Sequence, residues 1–172
     1  QDLRKSGKLK EIRVEKKEIL SGALRDEHKL LAVSYPWQGF GDPDSTNDRL
    51  KAVAKYLKED RPDIKYVWWD FMCVPQNTNE PDRVTKKVEH LYPTTYQKND
   101  FDTLYFKIMI NEGGVNLLYL GAYVLSIANS LYTHRFWTQF EFYLGTRRIT
   151  EKGFESDEYQ GRMDIRCIQS LQ

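Results

Sequence analysis

The segment Arg135-Phe136-Trp137-Thr138-Gln139-Phe140-Glu141-Phe142-Tyr143-Leu144 reads as a helix. Trp137, Phe140, Glu141 and Leu144 then share one apolar stripe, at offsets of three, four and seven. A carboxylate inside such a stripe is costly unless something pairs with it or uses it. Its own helix offers no cation, because the neighbours three and four positions away are Trp137, Thr138, Leu144 and Gly145. The partner comes from elsewhere in the fold, as a backbone group or a distant Arg, or it comes from a ligand. A second candidate for chemistry is Cys73, a nucleophile if His90 or His134 serves as its base, and otherwise a buried thiol.

The elements that must position these residues can be read in order. Leu30 to Tyr35 is a short apolar run closed by Pro36, as expected of a buried strand. A Gly/Pro loop follows to Asp44. Ser45 and Asp48 then have the spacing of a capping box ahead of an amphipathic helix bearing Leu50, Val53, Ala54 and Leu57. Tyr66 to Met72 is rich in β-formers and predicts a second strand, with Trp68 and Trp69 pointing into the core on opposite faces. Pro81 is placed to open a short helix through His90, and Asp100 to cap another carrying Phe101, Leu104, Tyr105 and Ile108. A helix over 115–120, a strand over 122–128, the Glu141 helix, a charged stretch over 147–161 and a half-exposed strand over 163–168 complete the chain. Strands alternating with helices imply a parallel sheet covered on both faces. A short helix near Lys17–Leu24 precedes the first strand.

The 172 residues fit one domain, with a charged lead-in over 1–29 and a core over 30–172. The first residue is Gln1, and the sequence is expected to be a domain excised from a longer protein. Lys and Arg number 26 against 25 acidic residues, a balance that argues against nucleic-acid binding as the main task. The two cysteines form no CxxC pair, so no zinc site or disulfide framework is indicated, and a reducing, cytoplasmic setting is expected. Gln1 to Lys17 is charged without the apolar core of a secretory signal, and 115–129 is too short and too broken to span a bilayer, so no membrane partner is expected.

Ligands of open α/β sheets bind outside the carboxyl ends of the strands. Ser34, Tyr35 and Trp37 follow the first predicted strand, Asp70, Cys73 and Gln76 the second, and Asn129, Tyr132 and then Glu141 the third. Asp70 equally suits a cap on nearby backbone amides. No GxGxxG, P-loop, HExxH or GxSxG motif occurs.

Three ordered segments carry a resemblance. Leu31-Ala32-Val33-Ser34-Tyr35-Pro36-Trp37, Trp69-Asp70-Phe71-Met72-Cys73-Val74-Pro75-Gln76 and Arg135-Phe136-Trp137-Thr138-Gln139-Phe140-Glu141 look like the "SYxWG", "DxxCIxQ" and "RxWTxxE" blocks of the heterokaryon-incompatibility (HET) domain family. Gln38 stands where that family often has Gly, and Phe140 where its usual form has Gln. HET domains are similar to Toll/interleukin-1 receptor (TIR) domains. The resemblance therefore implies a flavodoxin-like, TIR-like three-layer α/β sandwich around a central, mainly parallel sheet.

In enzymatic TIR domains the corresponding helix carries the glutamate required for cleaving NAD. The resemblance thus implies a catalytic Glu141 and an NAD glycohydrolase acting in cell death, incompatibility or innate immune signalling. Ser34, Tyr35, Trp37, Asp70, Cys73, Gln76 and Trp137 are then expected to line the substrate. NAD is the substrate rather than a cofactor, no metal is required, and homo-oligomerisation on activation is expected. The alternative from another class is a non-catalytic TIR-like module that signals by self-association. A nucleoside-processing transferase that also uses a glutamate is a third.

Overall fold

An unbroken apolar run such as Leu30-Leu31-Ala32-Val33 is stable as a strand only where both faces are covered, and in the computed structural model every residue of strand β1 (Leu30–Ser34) is buried. Residues 8, 10, 12, 14–38, 43–73, 114–156 and 161–168 are described. Helices α1 (Lys16–Ser21) and α2 (Ala23–Asp26) precede β1. After it come α3 (Asp48–Glu59), β2 (Tyr66–Trp68) and the short α4 (Asp70–Cys73). The chain continues through α5 (Gly114–Gly121), β3 (Tyr123–Ala128), α6 (Phe136–Gly145), β4 (Arg147–Thr150), β5 (Gly153–Ser156) and β6 (Met163–Cys167).

The main sheet has the order β2-β1-β3-β6, and every pairing in it is parallel, so the fold is α/β. Strand alternation splits the core in two. Leu31, Val33, Leu125 and Ile127 pack on one face with Val53 and Tyr56 of α3 and with Trp69 and Phe71. Leu30, Ala32 and Val124 pack on the other with Leu24, Tyr119 and Leu144, from α2, α5 and α6.

Two contacts tie the second face together. The buried guanidinium of Arg162 donates to the carbonyls of Tyr119 at 2.7 Å, Ala122 at 3.1 Å and Leu144 at 3.0 Å, and to that of Arg147. These lie at or just beyond the carboxyl ends of α5 and α6, where helix carbonyls lack intrahelical partners and a cation is favoured. Gly121 lets α5 approach α1 closely, since a Cβ there would sit 2.6 Å from the Ile19 carbonyl oxygen.

The structure corrects several expectations. β2 ends at Trp68, and Asp70 opens a helical turn because its carboxylate accepts the Phe71 N–H at 2.6 Å. Trp69 and Trp68 do join the opposite core clusters. The Ser45/Asp48 capping box does not form. Asp44 instead accepts the N–H groups of Arg49 and Leu50, and Thr46 donates to Asp48. The charged stretch after Gly145 contains the antiparallel hairpin β4–β5. The helices expected from Pro81 and Asp100 lie outside the described residues. Among the described residues no helix is long and apolar enough to cross a membrane.

Replacing Arg162 by Met strands several buried carbonyls and is expected to cost about 3 kcal/mol or more, because buried groups left without a partner carry their full desolvation penalty. Gly121→Ala forces α1 and α5 apart at an expected cost of about 1–3 kcal/mol. Urea unfolding of each variant beside the unaltered chain measures both.

Candidate active site

At the carboxyl end of β1 the pleat sends two successive residues to opposite faces, and each meets a carboxylate. Ser34 lies opposite Ser126 of β3 in the parallel register, and both are fully buried. On the α6 face, Ser34 Oγ donates to Glu141 Oε2 at 2.7 Å. Tyr132, in the 3-10 turn Tyr132–His134, brings its hydroxyl to 2.9 Å from Ser34 Oγ and 2.6 Å from Ser126 Oγ. The Tyr119 hydroxyl donates to the Val33 carbonyl at 3.2 Å. On the α3 face, the Tyr35 hydroxyl donates to Asp70 Oδ1 at 2.7 Å and the Trp37 indole N–H to Asp70 Oδ2 at 3.0 Å.

This end of the sheet is also where the strand order reverses, with β2 on one side of β1 and β3 and β6 on the other. The connection from β1 leads to α3 on one face, and the connection from β3 leads to α6 on the other. In open α/β sheets that divergence is where ligands bind.

Burial pushes the Glu141 carboxyl up to about 8, against the hydrogen bond from Ser34, and the nearby Asp70 adds to the rise while Tyr119 opposes it. Burial also raises Asp70, and the bonds from Tyr35, Trp37 and the Phe71 N–H do not offset it. Among the described residues no cation pairs with Glu141. Its hydrogen-bond partner is therefore the Ser34 hydroxyl, itself bonded to Tyr132. Close by, Arg49 is fully buried, with its guanidinium 5.9 Å from the centre of the Tyr35 ring and 3.5 Å from Asp44. Among the described residues its Nε and Nη2 have no hydrogen-bond partner.

Ser34 with Glu141, and Tyr35 and Trp37 with Asp70, thus form two clusters at the carboxyl end of β1, on opposite faces of the sheet. Cys73 closes the α4 turn with its N–H on the Trp69 carbonyl, and burial pushes its thiol up, away from what a thiolate nucleophile needs. His134 is exposed, while Gln76 and His90 lie outside the described residues. Trp137 does not share the buried stripe. It is 64% exposed, and the stripe is rotated by one position to Thr138, Glu141, Leu144 and Gly145. The cause is Thr138, whose hydroxyl donates to the Tyr132 and Arg135 carbonyls and docks the start of α6 on the preceding turn.

Tyr119, Ser126 and Arg49 carry no local sequence signal of a role at this site. Only the register of β1 with β3 would have pointed to Ser126. A cavity of about 300 Å³ lies elsewhere, lined by Phe142, Thr146, Arg162, Met163 and Ile165 among others, and holds none of this cluster. Among the described residues no group of three or more His, Cys, Asp or Glu is placed to hold a metal ion. No family model matches the chain, and neither the curated proteins nor the solved structures include a match.

A carboxyl raised in the folded state binds its proton more tightly there than when unfolded. Stability therefore falls as pH climbs from the ordinary value of 4.5 through about 8. Melting of the unaltered chain is expected to decline across that window. Glu141→Gln removes the share due to Glu141 and is expected to exceed the unaltered chain at pH 9 by on the order of a few kcal/mol. Thermal melts of both proteins at several pH values measure this.

Proposed function

We propose that this chain cleaves the nicotinamide–ribose bond of NAD or a related nucleotide, with Glu141 as the catalytic carboxylate. By its resemblance to the HET and TIR families, it does so as an effector in cell-death, incompatibility or immune signalling. The observation that carries this is Glu141 itself: a half-buried carboxylate at the carboxyl end of β1, hydrogen-bonded to Ser34, with no cation paired to it among the described residues. The order β2-β1-β3 followed by β6 supports a flavodoxin-like, TIR-like arrangement, in which ligands meet the sheet between β1 and β3.

The chemistry suits such a group. The bond from ribose C1′ to the ring nitrogen breaks, and its electron pair stays on the nitrogen and neutralises the ring. Water bonds to C1′ and gives up a proton, so NAD and water yield ADP-ribose, nicotinamide and one proton. Positive charge builds on the sugar in between, and an adjacent carboxylate stabilises it. In the free site Glu141 is largely protonated at neutral pH. The cationic nicotinamide ring favours the ionised form, so substrate binding drives the proton off. Trp37, half-buried and held by Asp70, offers a ring face to that cation, and Asp70 and Tyr35 orient the sugar or its loop.

One feature favours the second reading, a self-association module. Phe136 is 70% exposed and Trp137 64%, and Phe136 stacks on Phe140 with ring centres 5.8 Å apart. Exposed aromatic clusters of this kind mark interaction surfaces. An enzyme that assembles would use both features.

NAD consumption by the purified chain at high concentration, beside a Glu141→Gln variant shown to be folded, separates the two. Turnover is expected to fall at least about 100-fold in the variant. In the unaltered chain kcat/KM is expected to rise with pH through about 8, as the free carboxyl ionises. Equal turnover in both proteins removes Glu141 from the mechanism. No turnover in either, even when the chain is forced to cluster, leaves the interaction module.

A further inference from the structure

We propose that Ser126 and Tyr132 are positioning residues that act through Ser34. Together they fix Glu141 Oε2 as a hydrogen-bond acceptor and leave Oε1 as the oxygen that gains and loses the proton. This deepens the assignment of Glu141 as the working carboxylate and rests on it.

Proton counting along the chain carries the inference. Each hydroxyl has one proton to donate. Ser34 Oγ stands between Glu141 Oε2 at 2.7 Å and the Tyr132 hydroxyl at 2.9 Å. The Tyr132 hydroxyl stands in turn between Ser34 and Ser126 Oγ, the latter at 2.6 Å. Ser126 ends the chain, because among the described residues its hydroxyl meets no other polar partner, and its exposure is 0%.

Suppose the chain donated away from the carboxyl, from Glu141 to Ser34, Tyr132 and Ser126. The Ser126 proton would then be buried with no acceptor, which is the costly arrangement. Donation from Ser126 to Tyr132, to Ser34 and to Glu141 uses every proton. The terminal serine therefore gives the chain a direction, and that direction holds whether or not Glu141 is ionised. A proton bound by the carboxyl then resides on Oε1, the oxygen outside the chain.

The anchoring of Tyr132 fits this role. Its N–H donates to the Asn129 carbonyl, and its own carbonyl accepts the Thr138 hydroxyl, so the ring is placed without help from its phenol oxygen. The titratable groups facing Glu141 among the described residues are Asp70 from α4, Tyr119 from α5 and Tyr132. Asp70 disfavours the ionised carboxylate, whereas the directed chain favours it.

The test is a carbon-13 NMR titration of the Glu141 side-chain carboxyl in the full chain, without substrate, for the unaltered protein, Tyr132→Phe, Ser126→Ala and Ser126→Thr. Tyr132→Phe is expected to move the midpoint upward by about one pH unit, the worth of a hydrogen bond relayed to a charged group. Ser126→Ala moves it the same way by less, and Ser126→Thr, which keeps the hydroxyl, restores it. A merely structural Tyr132 would lower the melting temperature and leave the midpoint in place. A folded Tyr132→Phe that titrates like the unaltered chain overturns the proposal. Should Tyr132→Phe not fold, an unchanged midpoint in Ser126→Ala overturns it equally. Because no NAD is present, loss of the NAD reading leaves this result intact, and an unmoved midpoint leaves the NAD assay standing.

Discussion

Side-chain alternation along one buried strand is the constraint from which the site follows. Ser34 and Tyr35 are consecutive, so the pleat sends them to opposite faces, and each delivers a hydroxyl to a different carboxylate. Glu141 and Asp70 are thereby held at the same strand end but on separate layers, close enough that the charge on one opposes ionisation of the other. A one-residue slip of β1 would exchange the two faces and break both bonds at once. The run Leu30 to Val33 prevents that slip, because its residues fill two distinct cores, one under α3 and the other under α5 and α6.

The helix that brings Glu141 to Ser34 is secured at both ends by polar contacts. At its start, the Thr138 hydroxyl and the Gln139 amide donate to carbonyls of the preceding turn, and the Arg135 guanidinium reaches the Trp37 carbonyl at 3.3 Å. At its end, Arg162 binds the Leu144 carbonyl. Between these clamps Glu141 Oε2 meets the Ser34 hydroxyl, and burial raises the proton affinity of the carboxyl. A mobile carboxylate would relax into solvent and titrate normally. Arg162 also ties the same helix end to α5, which carries Tyr119.

Much of this was legible from residue types. β1, β3 and the extents of α3 and the Glu141 helix follow from apolar runs and helical periodicity, but α3 buries Arg49, Val53 and Tyr56 and leaves Leu50 and Ala54 exposed. The placement of Glu141 among apolar residues pointed to the carboxylate that Ser34 binds. Other parts were hidden for identifiable reasons. Tyr66 to Met72 is so rich in β-formers that composition favours strand throughout. With Asp70 bonding its neighbour's N–H and opening a helical turn, the strand ends at Trp68, four residues short of Met72. The hairpin Arg147–Ser156 has exposed or half-exposed residues at every strand position, so no alternation announces it; backbone pairing and the Arg148–Glu155 contact define it instead. Trp137 has the residue type of a buried anchor, yet Thr138 is buried in its place because two backbone carbonyls needed a donor. Ser126, Tyr132 and Tyr119 look like ordinary core and turn residues, and only the fold makes one chain of hydroxyls from separate stretches.

The raised proton affinity of Glu141 supports the catalytic reading proposed above over a purely associative one. A module that works only by association gains nothing from a buried carboxyl whose ionisation is opposed by burial and by a second carboxyl, and an apolar residue of similar size would pack there at least as well. Such a group destabilises the fold as pH rises, and the cost is justified where a ligand makes use of it. The ligand that relieves it most is a cation, since positive charge beside Glu141 offsets both burial and the field of Asp70. With no cation paired to Glu141 among the described residues, an incoming or developing positive charge is the complement of that carboxylate. Electrostatic stabilisation of this kind acts most strongly where the dipoles are already oriented. The hydroxyls of Ser34, Tyr132 and Ser126 are fixed by strand register and by one turn, so they need no rearrangement as charge develops.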